Sequence, residues 1–547
     1  MNIQRCINTL IANLPGEHAV LSPGSRNASV VYALDNSKFT CHSIIDERSA
    51  AFIALGIAKN TRKPVILSCT SGTAALNYYP AIAEAYYARI PLIVLTADRP
   101  PEQIDAWDGQ AIRQDRVYSN HIRGEFTTPD DYSDATKFEV ISQKVKELIA
   151  NAVPGPTHIN IPIREPFYSF TTEGLESKSN AEVTYRSFDV SVESIARYFK
   201  TDFSDKKVLI FNGMDEPEDI NIASDDYSVV LSDITSNQSD DIHYWDAMLF
   251  AAQTKPDGLK TLKCLQPDVL ITAGNTTVSK GLKRFLQNYP PQMHYHLSSF
   301  SEVGPMFKTN PVVVNPKELK SSKEQEKDIN GTRRGEYLGV WLEMTQAFKK
   351  RFAELEWSGY NEFSVVNHVL NELPNTAFLH LGNSMPIRYA SFLTNSDVNQ
   401  NIIYCNRGTS GIDGSSSTAV GNALVTEHDV YLLTGDVSFF YDVNAWFNAK
   451  LPRNIKVVLL NNGSGGIFNM ISGPEQMKDA IKYQTTPHSY TAEHLAKHFG
   501  LAYFSASNIN SMAIGFDDLK RHGGPAILEV FTDEEKNKSF FDQFKAI

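Results

Sequence analysis

Short apolar runs rich in β-branched residues recur along the whole chain, and most of them end in glycine, serine, aspartate or asparagine. In chain order the runs begin at Ala19, His42, Pro64, Pro91, Thr157, Lys207, Tyr227, Pro267, Met293, Pro311, Thr376, Asn401, Asp429, Asn454 and Pro525. Continuous apolar runs of this kind are typical of strands buried on both faces of a parallel sheet. Because helix-like stretches separate the runs, we predict βα units and an α/β fold of doubly wound parallel sheets.

Two polar stretches divide these runs into three groups. The stretch 169–187 follows the first group and the stretch 321–336 follows the second, and we interpret both as linkers. A chain of 547 residues suggests three or four domains at about 150 residues each. We therefore predict three α/β domains of similar size, over residues 1–180, 181–345 and 346–547.

The composition argues against several classes of protein. A formal charge of −12 disfavours general nucleic-acid binding, which needs a basic face. The five cysteines are scattered without a Cys-x-x-Cys pair, so we expect reduced thiols in a cytoplasmic protein. The first residues are typical of a short amphipathic helix and not of a signal peptide. We expect no membrane span, since no apolar stretch approaches the roughly 20 residues that a bilayer requires.

The last third contains a candidate metal site at the ends of two predicted strands. Gly435 and Asp436 follow one apolar run, and Asn462 follows the next run, 26 positions after Asp436. Adjacent parallel strands would bring both side-chain oxygens to one edge, where they suit Mg²⁺ bound to a diphosphate. Glycines that would let the backbone approach the phosphates stand at Gly463, Gly465 and Gly466. The alternative is a pair of ordinary strand-end turns, which this spacing disfavours.

This pattern resembles the diphosphate-and-metal motif of the thiamine-diphosphate-dependent enzymes, in which Gly-Asp precedes Asn-Asn along the chain. Those enzymes usually read Gly-Asp-Gly, whereas Val437 is the third residue here. The resemblance implies that Asp436, Asn462 and the backbone carbonyl of Ser464 bind the metal ion, which is expected to be Mg²⁺, with Mn²⁺ as an alternative. It also implies a pyrimidine-binding, a central and a diphosphate-binding domain.

The first third supplies a candidate acid in the segment HSIIDERSAAF. Glu47 follows a predicted strand and begins a predicted helix, where partial burial and the helix terminus can shift the pKa of a carboxyl. By resemblance, this glutamate protonates N1′ of the cofactor's aminopyrimidine ring. The alternative for Glu47 alone is a solvated carboxylate in a first helical turn. Thr70 and Ser71, in the motif TSGT, fit the cofactor-binding loop of the same domain, although helix caps use these residue types too.

Longer motifs resemble one branch of this family, which joins 2-oxoglutarate to isochorismate in menaquinone biosynthesis. These motifs are LSPGSRNA, IDERSAAF, TSGTAALN, LTADRPPE, GQAIRQ, LGNSMPIR, NRGTSGIDGSSSTAVG and GDVSFFYD. The resemblance implies decarboxylation of 2-oxoglutarate and 1,4-addition of the resulting carbanion to isochorismate. Both substrates carry carboxylates, for which arginine is the best suited cation. Arginines stand in these motifs at Arg26, Arg99, Arg113, Arg388 and Arg407.

The resemblance also assigns the other site residues by position. The substrate positions are Ser25, Arg26, Arg99, Gln110, Lys280, Ser384, Arg388, Arg407, Phe468 and Ile471. The cofactor positions are Glu47, Thr70, Ser71, Ser384, Ile412, Gly435, Asp436, Val437, Ser438, Asn462 and Ile467. We expect Arg388 and Arg407 to bind the carboxylate of the succinyl group. Arg26, Arg99, Gln110 and Lys280 are expected to meet isochorismate. The apolar residues of IFNMI would line the substrate site or simply pack in the core.

No histidine stands in these motifs, so we expect the cofactor's own amino group to carry out most of the proton transfer. In this family the cofactor lies between the first domain of one subunit and the last domain of its neighbour. The resemblance therefore implies a homodimer, which can pair into a homotetramer.

Alternatives of two kinds stay open. One keeps the cofactor but changes the substrates, as in acetohydroxyacid-synthase-like enzymes or 2-oxoacid decarboxylases, and the arginine set disfavours it. Another is a non-catalytic α/β scaffold subunit, which the presence of Glu47, Asp436 and Asn462 disfavours. A nicotinamide-dependent dehydrogenase is weaker still, because no Gly-x-Gly-x-x-Gly follows a strand with an acidic residue about 20 positions later.

Overall fold

The computed structural model describes residues 3–151, 153–176, 186–214, 218–223, 228–240, 242–300, 303–319, 332–355, 357, 359–393, 401–470 and 473–547. In these ranges the chain forms three larger parallel sheets and one two-stranded sheet, with helices packed around them. No helix of the described ranges is both long enough and apolar enough to cross a membrane. The prediction of an α/β fold with three parallel sheets is confirmed.

The first sheet has six parallel strands among the described residues. The strands are β1 His18–Leu21, β2 Thr40–Ser43, β3 Val65–Cys69, β4 Leu92–Asp98, β5 Gly124–Thr127 and β6 Thr157–Pro162. The helices are α1 Ile3–Ala12, α2 Ala28–Asp35, α3 Glu47–Thr61, α4 Thr73–Asn77, α5 Tyr79–Tyr87 and α6 Thr136–Asn151. The spatial order is β2-β1-β3-β4-β6-β5.

The middle sheet has five parallel strands in the part of the chain that the structure describes, and a separate parallel pair packs near it. The strands are β7 Arg186–Ser191, β8 Val208–Asn212, β9 Glu218–Ala223, β10 Val229–Ser232, β11 Val269–Ala273, β12 Met293–Leu297 and β13 Val312–Val314. The helices are α7 Val192–Tyr198, α8 Trp245–Thr254, α9 Gly258–Thr261 and α10 Lys280–Asn288. The five-stranded order is β10-β8-β11-β12-β13, and β7 pairs with β9.

The last sheet again has six parallel strands, counted over the described ranges. The strands are β14 Phe378–Leu381, β15 Ile402–Tyr404, β16 Val430–Gly435, β17 Ile455–Asn461, β18 Ala502–Ala506 and β19 Ala526–Phe531. The helices are α11 Thr332–Ala353, α12 Glu362–Glu372, α13 Met385–Leu393, α14 Ser415–Ala423, α15 Asp436–Tyr441, α16 Ile467–Met470, α17 Lys482–Thr485, α18 Glu493–Phe499, α19 Ile509–Arg521 and α20 Glu534–Ala546. Its order, β15-β14-β16-β17-β19-β18, repeats that of the first sheet.

The structure adds strands that the apolar runs did not predict. β5 and β18 lie at the edges of their sheets and are only partly buried, so neither needs a continuous apolar run. β7 and β9 pair only with each other, and β7 begins inside the first predicted linker. α11 begins inside the second predicted linker and crosses the boundary predicted at residue 345. Residues 177–185 and 321–331 of the linkers lie outside the described residues, and the domain boundaries stay a prediction.

The first and last domains are joined by close packing of α3 against α14. A Cβ atom at Gly56 would lie 2.0 Å from the carbonyl oxygen of Thr418, and one at Gly421 would lie 2.1 Å from that of Ile53. A side chain at either glycine would therefore force the helices apart. The two domains also share one apolar cluster at this contact. The start of α3, which carries Glu47, is thus held against the last domain of the same chain.

Candidate functional site

A cavity of about 300 Å³ opens at the carboxyl end of the last sheet. The loops after β14, β16 and β17 supply much of its lining, as expected for the ligand site of a parallel sheet. Ten of the predicted site residues line it: Ser384, Ile412, Gly435, Asp436, Val437, Ser438, Asn462, Ser464, Ile467 and Phe468. Ile471 lies outside the described residues. The fold therefore brings the predicted metal and diphosphate positions together.

Asp436 is buried at the start of α15. One of its oxygens accepts a hydrogen bond from the backbone of Val437 at 2.7 Å. The other accepts from the backbone amides of Asn462 and Gly463 at 3.1 and 2.8 Å, which ties the end of β16 to the loop after β17. His488 Nε2 lies 3.4 Å from this second oxygen. Burial raises the pKa of the Asp436 carboxyl, and the Val437 amide and the His488 ring oppose that shift.

The side-chain amide of Asn462 has one orientation in this arrangement. Its oxygen accepts a hydrogen bond from the backbone amide of Ser464 at 2.9 Å, and its nitrogen donates to Glu362 at 2.7 Å. Glu362 is buried at the start of α12. Burial raises the pKa of Glu362 to about 7, with the Asn462 hydrogen bond opposing the shift and the charge of Asp436 adding to it.

These groups fit a hard cation that is bound to a diphosphate. Asp436, the Asn462 amide oxygen and the Ser464 carbonyl offer only oxygen, the ligand atom that Mg²⁺ prefers. The single carboxylate suits an ion whose other ligands come from phosphate and water. Within the described ranges, no cluster of three or more histidine, cysteine, aspartate or glutamate side chains could hold a metal ion by itself. At Gly466 a Cβ atom would lie 2.9 Å from the side-chain nitrogen of Asn462. A larger residue at this position would therefore press on the Asn462 side chain, whereas glycine leaves room for it.

Glu47 is the first residue of α3, and its neighbours are bonded to the last domain of the same chain. Asp46 caps the helix and also accepts a hydrogen bond from the side chain of Asn444 at 2.7 Å. Arg48 donates to the carbonyl of Tyr441 at 2.7 Å and lies over the Tyr441 ring. Burial raises the pKa of the half-buried Glu47. The start of its helix is therefore held by hydrogen bonds on both sides of Glu47, and burial shifts its carboxyl toward the protonated form.

The TSGT loop is buried at the end of β3. Thr70 and Ser71 are both buried, and the Ser71 hydroxyl has no hydrogen-bond partner among the residues that the structure describes. A buried hydroxyl without a partner is costly, so the position fits one that a ligand completes. The backbone of Gly72 donates to the Gln114 side chain at 2.8 Å, and Gln114 donates to the Ala97 carbonyl at 3.1 Å. Gln114 thereby links this loop to the end of β4.

Four basic side chains gather where the middle and last domains meet; we call Lys280, Lys283, Arg388 and Arg407 the cation cluster. Burial lowers the pKa of Lys280, and the charges of Arg388 and Arg407 lower it further. Burial, followed by the charge of Arg407, also lowers the pKa of Lys283 and Arg388. Arg388 donates a hydrogen bond to the carbonyl of Ser384, which lines the cavity. These four cations repel one another, and a bound anion would offset that repulsion. The cluster is therefore suited to an anionic ligand beside the cavity.

The other predicted substrate contacts are more scattered. Arg26 is buried and is engaged within its own chain, since it donates to the Ile163 carbonyl at 2.7 Å and pairs with Glu165 at 3.3 Å. Arg99 donates to the carbonyl of Gly109 at 2.7 Å. The exposed predicted positions are Ser25, Gln110 and Lys280. The first-third positions that do not line the cavity are Ser25, Arg26, Glu47, Thr70, Ser71, Arg99 and Gln110.

Three residues near the site were missed by sequence reasoning. Glu362 and His488 stand outside the motifs, and only the fold brings them to Asn462 and Asp436. Glu84 lies in α5, between the motifs TSGTAALN and LTADRPPE, and a glutamate within a helix is normally solvated, so its pattern carries no signal. The residues Asn361 to Ser364 do form a capping box, which marks the start of α12 but says nothing about Asn462.

Comparison with known proteins places the chain among thiamine-pyrophosphate enzymes. The family model "Thiamine pyrophosphate enzyme, N-terminal TPP binding domain" matches residues 1–125, and the corresponding C-terminal model matches residues 385–530. A 2-succinyl-5-enolpyruvyl-6-hydroxy-3-cyclohexene-1-carboxylate synthase of Flavobacterium johnsoniae is 37% identical over 96% of this chain and 95% of its own length. A synthase of the same name from Flavobacterium psychrophilum is 38% identical over 96% of this chain and 95% of its own length. Another, from Bacteroides thetaiotaomicron, is 34% identical over 96% of this chain and 96% of its own length. The chain belongs to the 2-succinyl-5-enolpyruvyl-6-hydroxy-3-cyclohexene-1-carboxylate synthase family.

Proposed function

We propose that this protein uses thiamine diphosphate to decarboxylate 2-oxoglutarate and to add the resulting four-carbon unit to isochorismate in menaquinone biosynthesis. The products would be CO₂ and the compound for which the relatives are named. The observation that carries this proposal is the contact between the cation cluster and the cavity, through Arg388 and the Ser384 carbonyl. Anionic substrates held by the cluster would lie directly beside the cofactor position. Pyruvate, with one carboxylate, would leave much of this positive charge without a partner.

Asp436, Asn462 and the Ser464 carbonyl would hold Mg²⁺ or Mn²⁺ against the diphosphate. The departure from Gly-Asp-Gly at Val437 is compatible with this role, because Val437 donates its hydrogen bond to Asp436 from the backbone amide, which any residue except proline provides. Gly435 leaves open space at the edge of the cavity, since a Cβ atom there would meet no atom within 4 Å. The metal site would therefore depend on backbone geometry as much as on side chains.

Bound thiamine diphosphate supplies the electron sink for decarboxylation. Glu47 would hold a proton at the pyrimidine end of the site, and its raised pKa supports that role because a protonated carboxyl can donate. The Ser71 hydroxyl would gain the partner that it lacks in the described chain. Ile412 and Ile467 would provide apolar contact in the cavity that they line.

Arg388 and Arg407 would bind the carboxylate of the succinyl group, and Lys280 would extend the positive charge toward the second substrate. The remaining proposed isochorismate contacts are Arg26, Arg99 and Gln110. Arg26 would have to share its guanidinium between the substrate and its present partners, the Ile163 carbonyl and Glu165. The succinyl subsite is thus the better supported of the two.

The cofactor would lie between two copies of the chain. This assembly is supported by the cavity of a single chain, whose lining in the described ranges includes none of Glu47, Thr70 and Ser71. The first domain of a second copy would supply them, which makes a homodimer the smallest active unit and a homotetramer a pair of such units. We also propose that the protein is cytoplasmic, where small anionic metabolites are available.

The test is an assay of the purified protein with thiamine diphosphate and Mg²⁺. We expect a 1,4-adduct and CO₂ from 2-oxoglutarate with isochorismate, little turnover of pyruvate alone, and loss of activity in EDTA that added Mg²⁺ or Mn²⁺ restores. Faster CO₂ release from pyruvate would favour a different 2-oxoacid enzyme. The absence of saturable thiamine diphosphate binding in calorimetry would instead favour a non-catalytic subunit.

A further inference from the structure

Glu362 is the first residue of α12, outside every motif that assigns the site. It is 3% exposed and lines the cavity beside Asn462. Its backbone amide donates to the side chain of Asn537 at 2.9 Å, and Asn361 caps the same helix. The Thr532 hydroxyl lies 3.4 Å from the carboxylate oxygen that Asn462 contacts. The carboxylate of Glu362 is therefore held in place from several sides.

Glu362 and Ser464 bind opposite ends of the same amide group. The carboxylate of Glu362 accepts from Asn462 Nδ2 at 2.7 Å, and the backbone amide of Ser464 donates to Asn462 Oδ1 at 2.9 Å. The Glu362 oxygen that Asn462 contacts is the acceptor in this hydrogen bond, and a backbone N–H can only donate. Only one of the two flips of the amide therefore satisfies both partners.

The selected flip keeps the amide oxygen on the side of Ser464, another proposed metal ligand. The opposite flip would set the amide oxygen against the Glu362 carboxylate and the amide nitrogen against the Ser464 N–H. Both contacts would be repulsive, and the nitrogen of a neutral amide is not a ligand for Mg²⁺. Without Glu362, the contacts of Ser464 would remain, with its backbone amide at 2.9 Å and its hydroxyl at 3.3 Å from the Asn462 oxygen, but the nitrogen end of the amide would lose this acceptor.

We infer that Glu362 is a positioning residue that orients the amide of Asn462 for binding a divalent cation; this inference rests on the proposed function. Glu362 acts through a hydrogen bond to the ligand. Partners that orient a metal ligand in this way typically change metal affinity by about 10- to 100-fold when they are removed.

Three substitutions at this position separate orientation from charge. Glu362→Gln keeps an oxygen acceptor within reach of Asn462 but removes the charge. Glu362→Asp keeps the charge but withdraws the oxygen by one methylene, and Glu362→Met removes both. Titration calorimetry with MgCl₂ at saturating thiamine diphosphate would measure the metal Kd of each variant. We expect Glu362→Asp and Glu362→Met to raise this Kd by about 10- to 100-fold, and Glu362→Gln to stay close to the unmodified protein.

Glu84→Asp is the matched control, because it shortens another buried carboxylate that makes no contact with the cavity. Its metal Kd should be unchanged. Unmodified affinity in Glu362→Asp would overturn the inference, as would weak binding in Glu362→Gln with normal binding in Glu362→Asp. If Glu362→Met does not fold, the Gln and Asp pair decides alone. If the unmodified protein shows no Mg²⁺-dependent binding of thiamine diphosphate, the proposed function itself fails.

Discussion

The buried carboxylate of Glu84 lies 2.8 Å from the backbone nitrogen of Gly408, although 324 positions separate the two residues along the chain. The same carboxylate accepts hydrogen bonds from the backbone and the hydroxyl of Thr409 at 2.6 and 2.8 Å. Glu84 belongs to α5 of the first domain, whereas Gly408 directly follows Arg407 in the last domain. This contact therefore fixes the loop of a proposed substrate arginine against the first domain.

Glu84→Gln should raise the KM for 2-oxoglutarate. The amide nitrogen of glutamine would face donors of Thr409, so at least one charge-assisted hydrogen bond is lost and Arg407 is held less firmly. Such bonds contribute about 1.5–3 kcal/mol, so we expect the KM for 2-oxoglutarate to rise by about tenfold or more. Steady-state kinetics would measure it, with thiamine diphosphate affinity unchanged. Glu147→Gln, on the exposed face of α6, is the control, and equal KM values in both variants would contradict the role of Glu84.

Glu47→Gln should leave the fold intact but slow the exchange of the cofactor's C2 proton with deuterium. Glutamine keeps the size of the side chain but cannot donate an acidic proton, and losing a general acid typically costs about 100-fold or more in rate. Exchange would be followed by NMR after acid quenching, with circular dichroism as the folding control. Exchange at the unmodified rate would remove Glu47 from the proposed chemistry.

Mixed dimers of Glu47→Gln and Asp436→Asn should regain activity that neither variant has alone. If each site takes Glu47 from one copy and Asp436 from the other, a mixed dimer has one site with both substitutions and one intact site. Random pairing would restore about a quarter of the sites. Co-expression with two different affinity tags would isolate the mixed species for assay. An inactive mixed dimer, with both parent variants folded, would instead indicate that one chain forms the whole site.

Arg388→Ala and Arg407→Ala should chiefly impair the use of 2-oxoglutarate. Each removes a cation from the cation cluster, and a charge-assisted hydrogen bond of about 1.5–3 kcal/mol corresponds to a loss of roughly 10- to 100-fold in kcat/KM. Initial rates at varied concentrations of each substrate would separate the two subsites. Arg521→Ala removes an exposed arginine of α19 and serves as control. A rise confined to the isochorismate KM would reverse the assignment of the subsites.

Asp246→Asn should remove part of the pH dependence of stability. Asp246 is buried in α8 and accepts hydrogen bonds from Ser279 and Ser391, and burial raises its pKa to about 6. A raised folded-state pKa means that its contribution to the free energy of unfolding is fully present below about pH 4 and is lost as the pH rises through 6. The shift of the Asp246 pKa from that of an ordinary aspartate corresponds to a contribution of about 3 kcal/mol to the free energy of unfolding. About 1 kcal/mol of this contribution is lost between pH 5 and pH 7.

Urea denaturation of the Asp246→Asn variant at pH 5 and pH 7 would measure this difference. The decline in the free energy of unfolding between these pH values should be smaller in the variant than in the unmodified protein. Asp205→Asn, at an exposed position, should follow the unmodified protein. Identical pH profiles in all three proteins would show that Asp246 does not titrate in this range.

The amino-acid sequence by itself determined the sheet class of this protein and the placement of Asp436 and Asn462 at neighbouring strand ends. Continuous apolar runs need burial on both faces, and this requirement is local, so the buried strands could be predicted from their own residues. Asp436 and Asn462 could be paired because each ends such a strand, and β16 and β17 are indeed parallel neighbours. Edge strands such as β5 and β18 were missed, since a partly exposed strand lacks the continuous run.

Only the tertiary structure decided which partners these residues have. Glu362 lies 100 positions from Asn462, and Glu84 lies 324 positions from Gly408. Nothing in the residues around either glutamate distinguishes it from a solvated helix carboxylate. Arg26 is a further example, because its motif predicts a substrate contact but does not reveal the contacts of its guanidinium with Ile163 and Glu165. Burial and apolar periodicity act over a few residues, whereas a hydrogen bond between distant segments exists only once packing has set their separation.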